Sequence, residues 1–348
     1  MQITPISTPT HEQLVKVTDA DAGLTGFIAI HSTQLGPAAG GLRMRDYADE
    51  TDAIEDVLRL ARGMTYKNAA AGLPLGGGKA VIMGDPRQKT RAQLLAFGQA
   101  VDALDGRYWT AEDMGMTPAD MGVLAQETRC VAGLANGPFA SGDPSPVTAR
   151  GIFNAIRTTA RHRFGSDKLT GLQVAVQGLG HVGLHLCALL HDAGAQLIVT
   201  DMVDASVAKA VNAFNAKPVA PDDILTVQAD ILAPCAIGAI LNTQTIPQLR
   251  VKAVAGGANN QLATPEDGAL LHARGILYAP DFVANGGGII NVATEILRIQ
   301  DRAAFVEDKL TSLDATMDSI LTRAIRADVS PNDVAEQIVD EMLRPDAA

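Results

Sequence analysis

Aromatic side chains make up only 4% of the chain, with a single tryptophan, so any core must be built from Ala, Leu, Ile and Val. Cysteine is nearly absent as well. Cys130, Cys187 and Cys235 are an odd, scattered set without a CxxC pair, which points to core thiols in a reducing compartment rather than a disulfide framework. No apolar run approaches the ~18 residues of a membrane span. The start, Met-Gln-Ile-Thr-Pro, lacks the charged and apolar stretches of a signal peptide. A cytoplasmic protein without a membrane partner is the expectation. Basic clusters are missing too. The formal net charge is −11, and nucleic acid is a poor partner for such a chain because phosphate neutralisation needs a basic face. No acidic cluster suits a divalent cation. His181 and His185, four apart on one helix face, have no carboxylate beside them in sequence, so no metal is expected.

What is present is the composition of a globular enzyme, 47% hydrophobic and 19% charged, and 348 residues suffice for two domains. Residues 26–31 read as a strand. Ile54, Val57, Leu58, Ala61 and Met64 recur with a helical period across 50–67. Residues 79–83 are expected as a short strand that starts where the glycine run Gly76-Gly77-Gly78 ends. A helix follows at 90–104 and a strand at 108–110. At Ser141-Gly142-Asp143-Pro144-Ser145-Pro146 the chain stiffens and breaks. Ser145 is expected to cap the next helix, with Pro146 at its first position. Beyond it, strands at 173–177, 196–200, 231–233, 252–255 and 276–278 alternate with helices such as 181–194, implying a parallel sheet covered on both faces. The expected fold class is α/β: an N-terminal α/β substrate domain over 1–141 and a C-terminal Rossmann-type dinucleotide-binding domain over 142–324, separated by a cleft. About residues 325–348 are free to return to the first domain.

The second domain carries Gly178-Leu179-Gly180-His181-Val182-Gly183 directly after the strand Val174-Ala175-Val176 and at the opening of a helix. Alone this pattern is weak, but its flanks agree. The next strand ends in Asp201, eighteen residues past Gly183. Gly178 permits the tight turn, Gly180 lets backbone approach a pyrophosphate, and Gly183 allows close helix–strand contact. The helix N-terminus adds a positive dipole end. Asp201 would accept from ribose hydroxyls and repel a 2′-phosphate, and Met202-Val203-Asp204 offers no arginine to reverse that. NAD is therefore expected rather than NADP.

In the first domain Lys67 and Lys79 lie twelve apart among small, apolar and glycine residues. Such surroundings remove water and lower a lysine's proton affinity towards a catalytic range. With a nicotinamide domain downstream, they suggest hydride transfer from a carbon bearing a carboxylate. One ammonium would hold the anion and the other would act as acid or base. Glu112-Asp113, near a strand end, adds a carboxylate pair able to pass protons to an amino group or orient a lysine.

The phrases Gly36-Pro37-Ala38-Ala39-Gly40-Gly41-Leu42-Arg43-Met44, residues 63–79, residues 110–115, Pro144-Ser145-Pro146-Val147-Thr148, residues 178–183 and Asn285-Gly286-Gly287-Gly288 closely resemble the glutamate/leucine/phenylalanine/valine dehydrogenase family. The likeness spans about residues 12–300 and is greatest to leucine-type members. It implies that Lys67 binds an α-carboxylate with help from backbone at Gly40 and Gly41. Lys79 is implied as the general base that activates water against an imine, and Asp113 as the group that handles protons at the amine. Asn260 would span substrate and nicotinamide ribose, and Thr148 would contact the nicotinamide side. The implied reaction oxidises an L-amino acid with NAD to a 2-oxo acid and ammonia, in a homo-oligomer assembled through the first domain.

Glutamate-specific members place lysine at the position of Ala39 and serine at that of Val292. Both are apolar here, and an unpaired buried carboxylate would be heavily penalised. Ala39, Ile289, Val292 and Ala111 can instead line an apolar pocket. Leucine-type members carry leucine where this chain has Ala39, a departure that enlarges the pocket by several methylenes. Branched-chain acids are the first expectation and phenylalanine the second. A metal-using decarboxylating hydroxy-acid enzyme and a non-catalytic NAD-binding sensor are the rival readings.

Overall fold

The computed structural model describes residues 1–344. In chain order the first elements are β1 (Gln2–Pro5), β2 (Gln13–Asp19), β3 (Leu24–Ser32), β4 (Ala38–Ala39), β5 (Leu42–Arg45), α1 (Glu50–Ala70), β6 (Gly76–Met83), α2 (Arg91–Asp102), β7 (Tyr108–Trp109) and α3 (Pro118–Leu124). They form a seven-stranded mixed sheet of order β1-β2-β3-β6-β4-β7, with β5 also pairing β6. The pairs β1–β2, β2–β3 and β3–β6 are antiparallel, whereas β4 and β5 run parallel to β6. Strand alternation sorts the side chains. Phe27, Ala29 and Val81 pack with Ala53, Val57 and Ala61 of α1. Ile28, Ile30, Ala80 and Ile82 pack with Phe97 and Val101 of α2 on the other face.

The expected strand at 79–83 begins three residues earlier, inside the glycine run. A Cβ on Gly77 would stand 2.1 Å from the Thr65 backbone nitrogen of α1. The glycines are therefore strand residues that let α1 lie unusually close to β6, rather than a loop before it. α1 starts with Asp49, whose carboxylate accepts from the Thr51 and Asp52 amides, and α2 starts with a capping box of Thr90 and Gln93.

The later elements are α4 (Ser145–Phe164), β8 (Gln173–Gln177), α5 (His181–Asp192), β9 (Gln196–Thr200), α6 (Asp204–Phe214), β10 (Lys217–Pro218), β11 (Ile231–Pro234), β12 (Ala253–Val254), α7 (Glu266–Ala273), β13 (Leu277–Tyr278), α8 (Asp281–Ala284), α9 (Gly287–Ile296), α10 (Arg302–Ala327) and α11 (Pro331–Met342). β8 to β13 make a six-stranded sheet of order β10-β9-β8-β11-β12-β13, parallel throughout. Renumbered from β8, that order is 3-2-1-4-5-6, the doubly wound dinucleotide-binding arrangement with its switch point between β8 and β11. Ser145 does not cap α4. Pro144, already helical at φ −77 and ψ −10, takes the N-cap position and Ser145 is the first helical residue.

Two compact units result. The first comprises Met1–Asp143 together with Asn291–Val306. The second comprises Pro144–Ile290 and, among the described residues, 307–344. It is thus residues 291–306 that group with the first unit. The expected return of the closing helices is not seen: α11 packs on α7 and β13 of the second unit, and residues 345–348 of that expectation lie outside the described residues. No helix among the described residues is long and apolar enough to cross a membrane.

Candidate active site

In the first unit, β4 and β5 are one strand path interrupted at Gly40-Gly41. A Cβ on Gly40 would lie 1.9 Å from the Gly78 carbonyl oxygen, and one on Gly41 would lie 2.9 Å from Cβ of Asp113. Only glycines let this path pass between the strand of Lys79 and the segment of Glu112-Asp113. Gly40 is fully engaged there. Its N–H donates to the Trp109 carbonyl at 3.1 Å, and its carbonyl accepts from the Tyr108 hydroxyl at 2.7 Å. Gly40 thus serves close approach of the two strand paths, whatever its backbone does toward a substrate. Burial pushes the Tyr108 hydroxyl well above its ordinary value, so it stays a neutral donor.

Lys79 is 6% exposed and projects from the centre of β6. The sequence shows it almost no polar neighbour, but the fold supplies one. Its Nζ lies 2.9 Å from Oδ2 of Asp113. The same Oδ2 accepts from Arg43 Nε at 3.0 Å, and Arg43 Nη1 reaches Oδ2 of Asp56 at 3.0 Å. Asp56 also accepts from Tyr47 Oη at 2.8 Å and from Arg59 Nη2 at 3.1 Å. Burial alone would raise the Asp113 carboxyl, but the Lys79 and Arg43 cations outweigh it and hold the group down at about 2. Glu112 moves the other way. Burial, then the Asp143 and Asp113 charges, raise its carboxyl, and its Oε2 is buried without a hydrogen-bond partner among the described residues. Two adjacent carboxyls are thus shifted in opposite directions by their surroundings.

Lys67 occupies the last turn of α1, the helix that Gly77 draws onto the sheet face to which Lys79 points. Ala39 is fully buried and pairs in register with Gly77 and Trp109; by alternation it faces α1 too. Beside them the buried Asn68 amide donates to the Gly76 carbonyl at 2.6 Å, tying the helix end to β6. Ala111 is also buried.

In the second unit Gly178, at φ +95, ends β8 and turns the chain back. A Cβ on Gly183 would stand 2.0 Å from the Gly178 carbonyl oxygen, whereas one on Gly180 would meet nothing within 4 Å. Gly180 is the N-cap of α5 and offers no side chain to its first turn. Open space at an uncapped helix N-terminus is what a pyrophosphate requires, so the residues present fit a dinucleotide. The Leu179 side chain is buried, and its amide donates to Asp201 Oδ2 at 2.5 Å, which orients that carboxylate. Asp201 Oδ1 accepts from the Val203 amide at 2.8 Å, which aims the carboxylate at the strand end.

His181 and His185 are exposed on α5, with Val182 half-buried. The Thr148 hydroxyl donates to the Pro144 carbonyl at 2.9 Å, and a Cβ on Gly288 would lie 2.9 Å from it. Asn260 is exposed in the left-handed region at φ +51. Ile289 and Val292 sit one turn apart on α9, the first buried and the second half-buried.

Sequence reasoning passed over Arg43, Asp56 and Glu295. Asp56 left a signal, since it is a charged residue beside the apolar stripe Ala53, Val57, Ala61 of α1 and so demanded a partner. Glu295 left none. It accepts from the amides of Gly133 at 2.8 Å and Ser141 at 3.1 Å, and from the Ser141 hydroxyl at 2.9 Å, all within the first unit.

The profile described as Glu/Leu/Phe/Val dehydrogenase, dimerisation domain, matches residues 11–130, and that of Glutamate/Leucine/Phenylalanine/Valine dehydrogenase matches residues 199–335. The chain is 49% identical to the leucine dehydrogenase of Geobacillus stearothermophilus over 334 residues, 96% of this chain and 90% of that protein. It is 48% identical to the phenylalanine dehydrogenase of Lysinibacillus sphaericus over 296 residues, 82% of this chain and 77% of that protein. Among solved structures, the crystal structure of L-tryptophan dehydrogenase from Nostoc punctiforme superposes with a TM-score of 0.84 at 40% identity, covering 96% of both chains.

Proposed function

Because the chain belongs to the glutamate/leucine/phenylalanine/valine dehydrogenase family, we propose that it oxidises apolar L-amino acids, branched-chain ones first, to 2-oxo acids and ammonia with NAD. The observation that carries this reading is the Lys79–Asp113 pair at 2.9 Å, built on the glycine-lined strand path beside the helix of Lys67. Lys67 holds the α-carboxylate as a point charge. Asp113 takes and returns the proton of the substrate amino group, and Lys79 moves the proton of the water that attacks the imine carbon. NAD, when bound at the Gly178–Gly183 loop, supplies the acceptor for the Cα hydride. Asn260 and Thr148 orient the nicotinamide end.

Ala39 and Val292, together with Ile289 and Ala111, present no group able to pair a side-chain carboxylate, which supports apolar substrates over glutamate. The relatives named for leucine, phenylalanine and tryptophan leave side-chain size as the open choice. Initial rates of NADH formation across a panel of L-amino acids test it. Leucine, valine and isoleucine are expected to lead, with phenylalanine behind, since one methylene in an apolar pocket discriminates by only about 1–3 kcal/mol. Glutamate as the best substrate would contradict the reading. A homo-oligomer is part of the same proposal, supported by the dimerisation-domain match over residues 11–130, and so is a cytoplasmic setting.

Cofactor choice gives a second test. Asp201→Ser removes the carboxylate fixed by Leu179 and Val203, and is expected to shift the NADP to NAD ratio of kcat/KM by on the order of tenfold or more, because like-charge juxtaposition costs several kcal/mol. An unchanged ratio would remove Asp201 from that role.

A further inference from the structure

We propose that Arg43 is a positioning residue that fixes which oxygen of Asp113 meets the substrate. This rests on the reading of Asp113 as the proton-handling group at the amine. Lys79 and Arg43 both bind Oδ2, at 2.9 and 3.0 Å. No hydrogen bond from the described residues reaches Oδ1, while the side chain keeps 23% of its exposure. Two cations converging on one oxygen lock the carboxylate's rotation and leave Oδ1 as the atom open to a ligand.

Arg43 can do this because it is itself held. Its guanidinium is a rigid planar fork, and while Nε serves Asp113, Nη1 is anchored on Asp56 at 3.0 Å. Asp56, only 9% exposed, is in turn gripped by Tyr47 and Arg59. The chain of contacts therefore runs from the rigid α1 through Asp56 and Arg43 to Asp113. A lysine at position 43 could supply charge but could not bridge both carboxylates in one plane. The titratable groups that sense Asp113 include Lys79 from β6, Arg43 from β5, the Tyr108 hydroxyl from β7 and its own neighbour Glu112.

The expected result for Arg43→Gln is a kcat lower by about 100-fold, the size of effect that an ångström-scale misplacement produces, with NAD affinity unchanged. Arg43→Lys should fall between it and the unaltered enzyme, and serves as the folded reference if the glutamine variant unfolds. The discriminating readout is a double-mutant cycle on single-turnover rates. If Arg43 works through Asp113, adding Arg43→Gln to Asp113→Asn slows the reaction no further. Full multiplication of the two losses would overturn the proposal, showing an independent structural effect. Undiminished turnover in Arg43→Gln would overturn it as well. Undiminished turnover in Asp113→Asn would instead sink the underlying role of Asp113, so the two failures are told apart.

Discussion

Lys79→Ala is expected to lower kcat by about a thousandfold, the middle of the range that a positioned acid–base group supplies, while NAD affinity stays that of the unaltered protein. The separation follows from the architecture. Lys79 lies in the middle of β6 in the first unit, and the glycine loop of the nucleotide lies after β8 in the second. Removing the ammonium also strips Asp113 of one of its two cations, leaving Arg43 alone on Oδ2. The loss therefore exceeds that of a single proton carrier and should not be recovered at any pH. Steady-state rates with leucine and titration calorimetry with NAD measure both halves. Retained turnover would take Lys79 out of the chemistry.

The second large effect concerns the nucleotide loop, where two glycines three residues apart should fail in different ways. In Gly183→Ala the new methyl would meet the Gly178 carbonyl oxygen at 2.0 Å. Backbone must move, so the variant loses stability by about 1–3 kcal/mol or more and its loop no longer matches a pyrophosphate. In Gly180→Ala the methyl enters open space and the fold is undisturbed. That space is where the phosphates would approach, so NAD binding should weaken by about 100-fold, some 2.7 kcal/mol, at an unchanged melting temperature. Equal NAD affinity in Gly180→Ala would mean that the pyrophosphate does not sit over this turn.

Much of the second unit is legible in its sequence. β8 and β9 fall on the expected residues because each is a short apolar run of three between polar residues, set between turn and helix signals, and the parallel pairing follows from the alternation of strands with helices. The first unit was harder to read. Gly76, Gly77 and Gly78 look like a loop in sequence because glycine is disfavoured in strands. Their reason for being in β6 is the closeness of α1 and Tyr108, a tertiary fact. The setting of Lys79 has the same cause. Its sequence neighbours are apolar, yet its spatial neighbour Asp113 lies thirty-four residues on, brought in by the pairing of β4 with both β6 and β7. Motif position likewise says nothing about where an amide points, and that of Leu179 goes to Asp201.

The account stands on the transfer of hydrogen from the α-carbon of an apolar amino acid to a nicotinamide ring. L-leucine deuterated at Cα, incubated with the enzyme and unlabelled NAD, tests this most directly. The deuterium is expected in the reduced nicotinamide, one atom per 2-oxo acid formed, with a slowed rate under single turnover. Deuterium released to water, or retained in the carbon product, would contradict it.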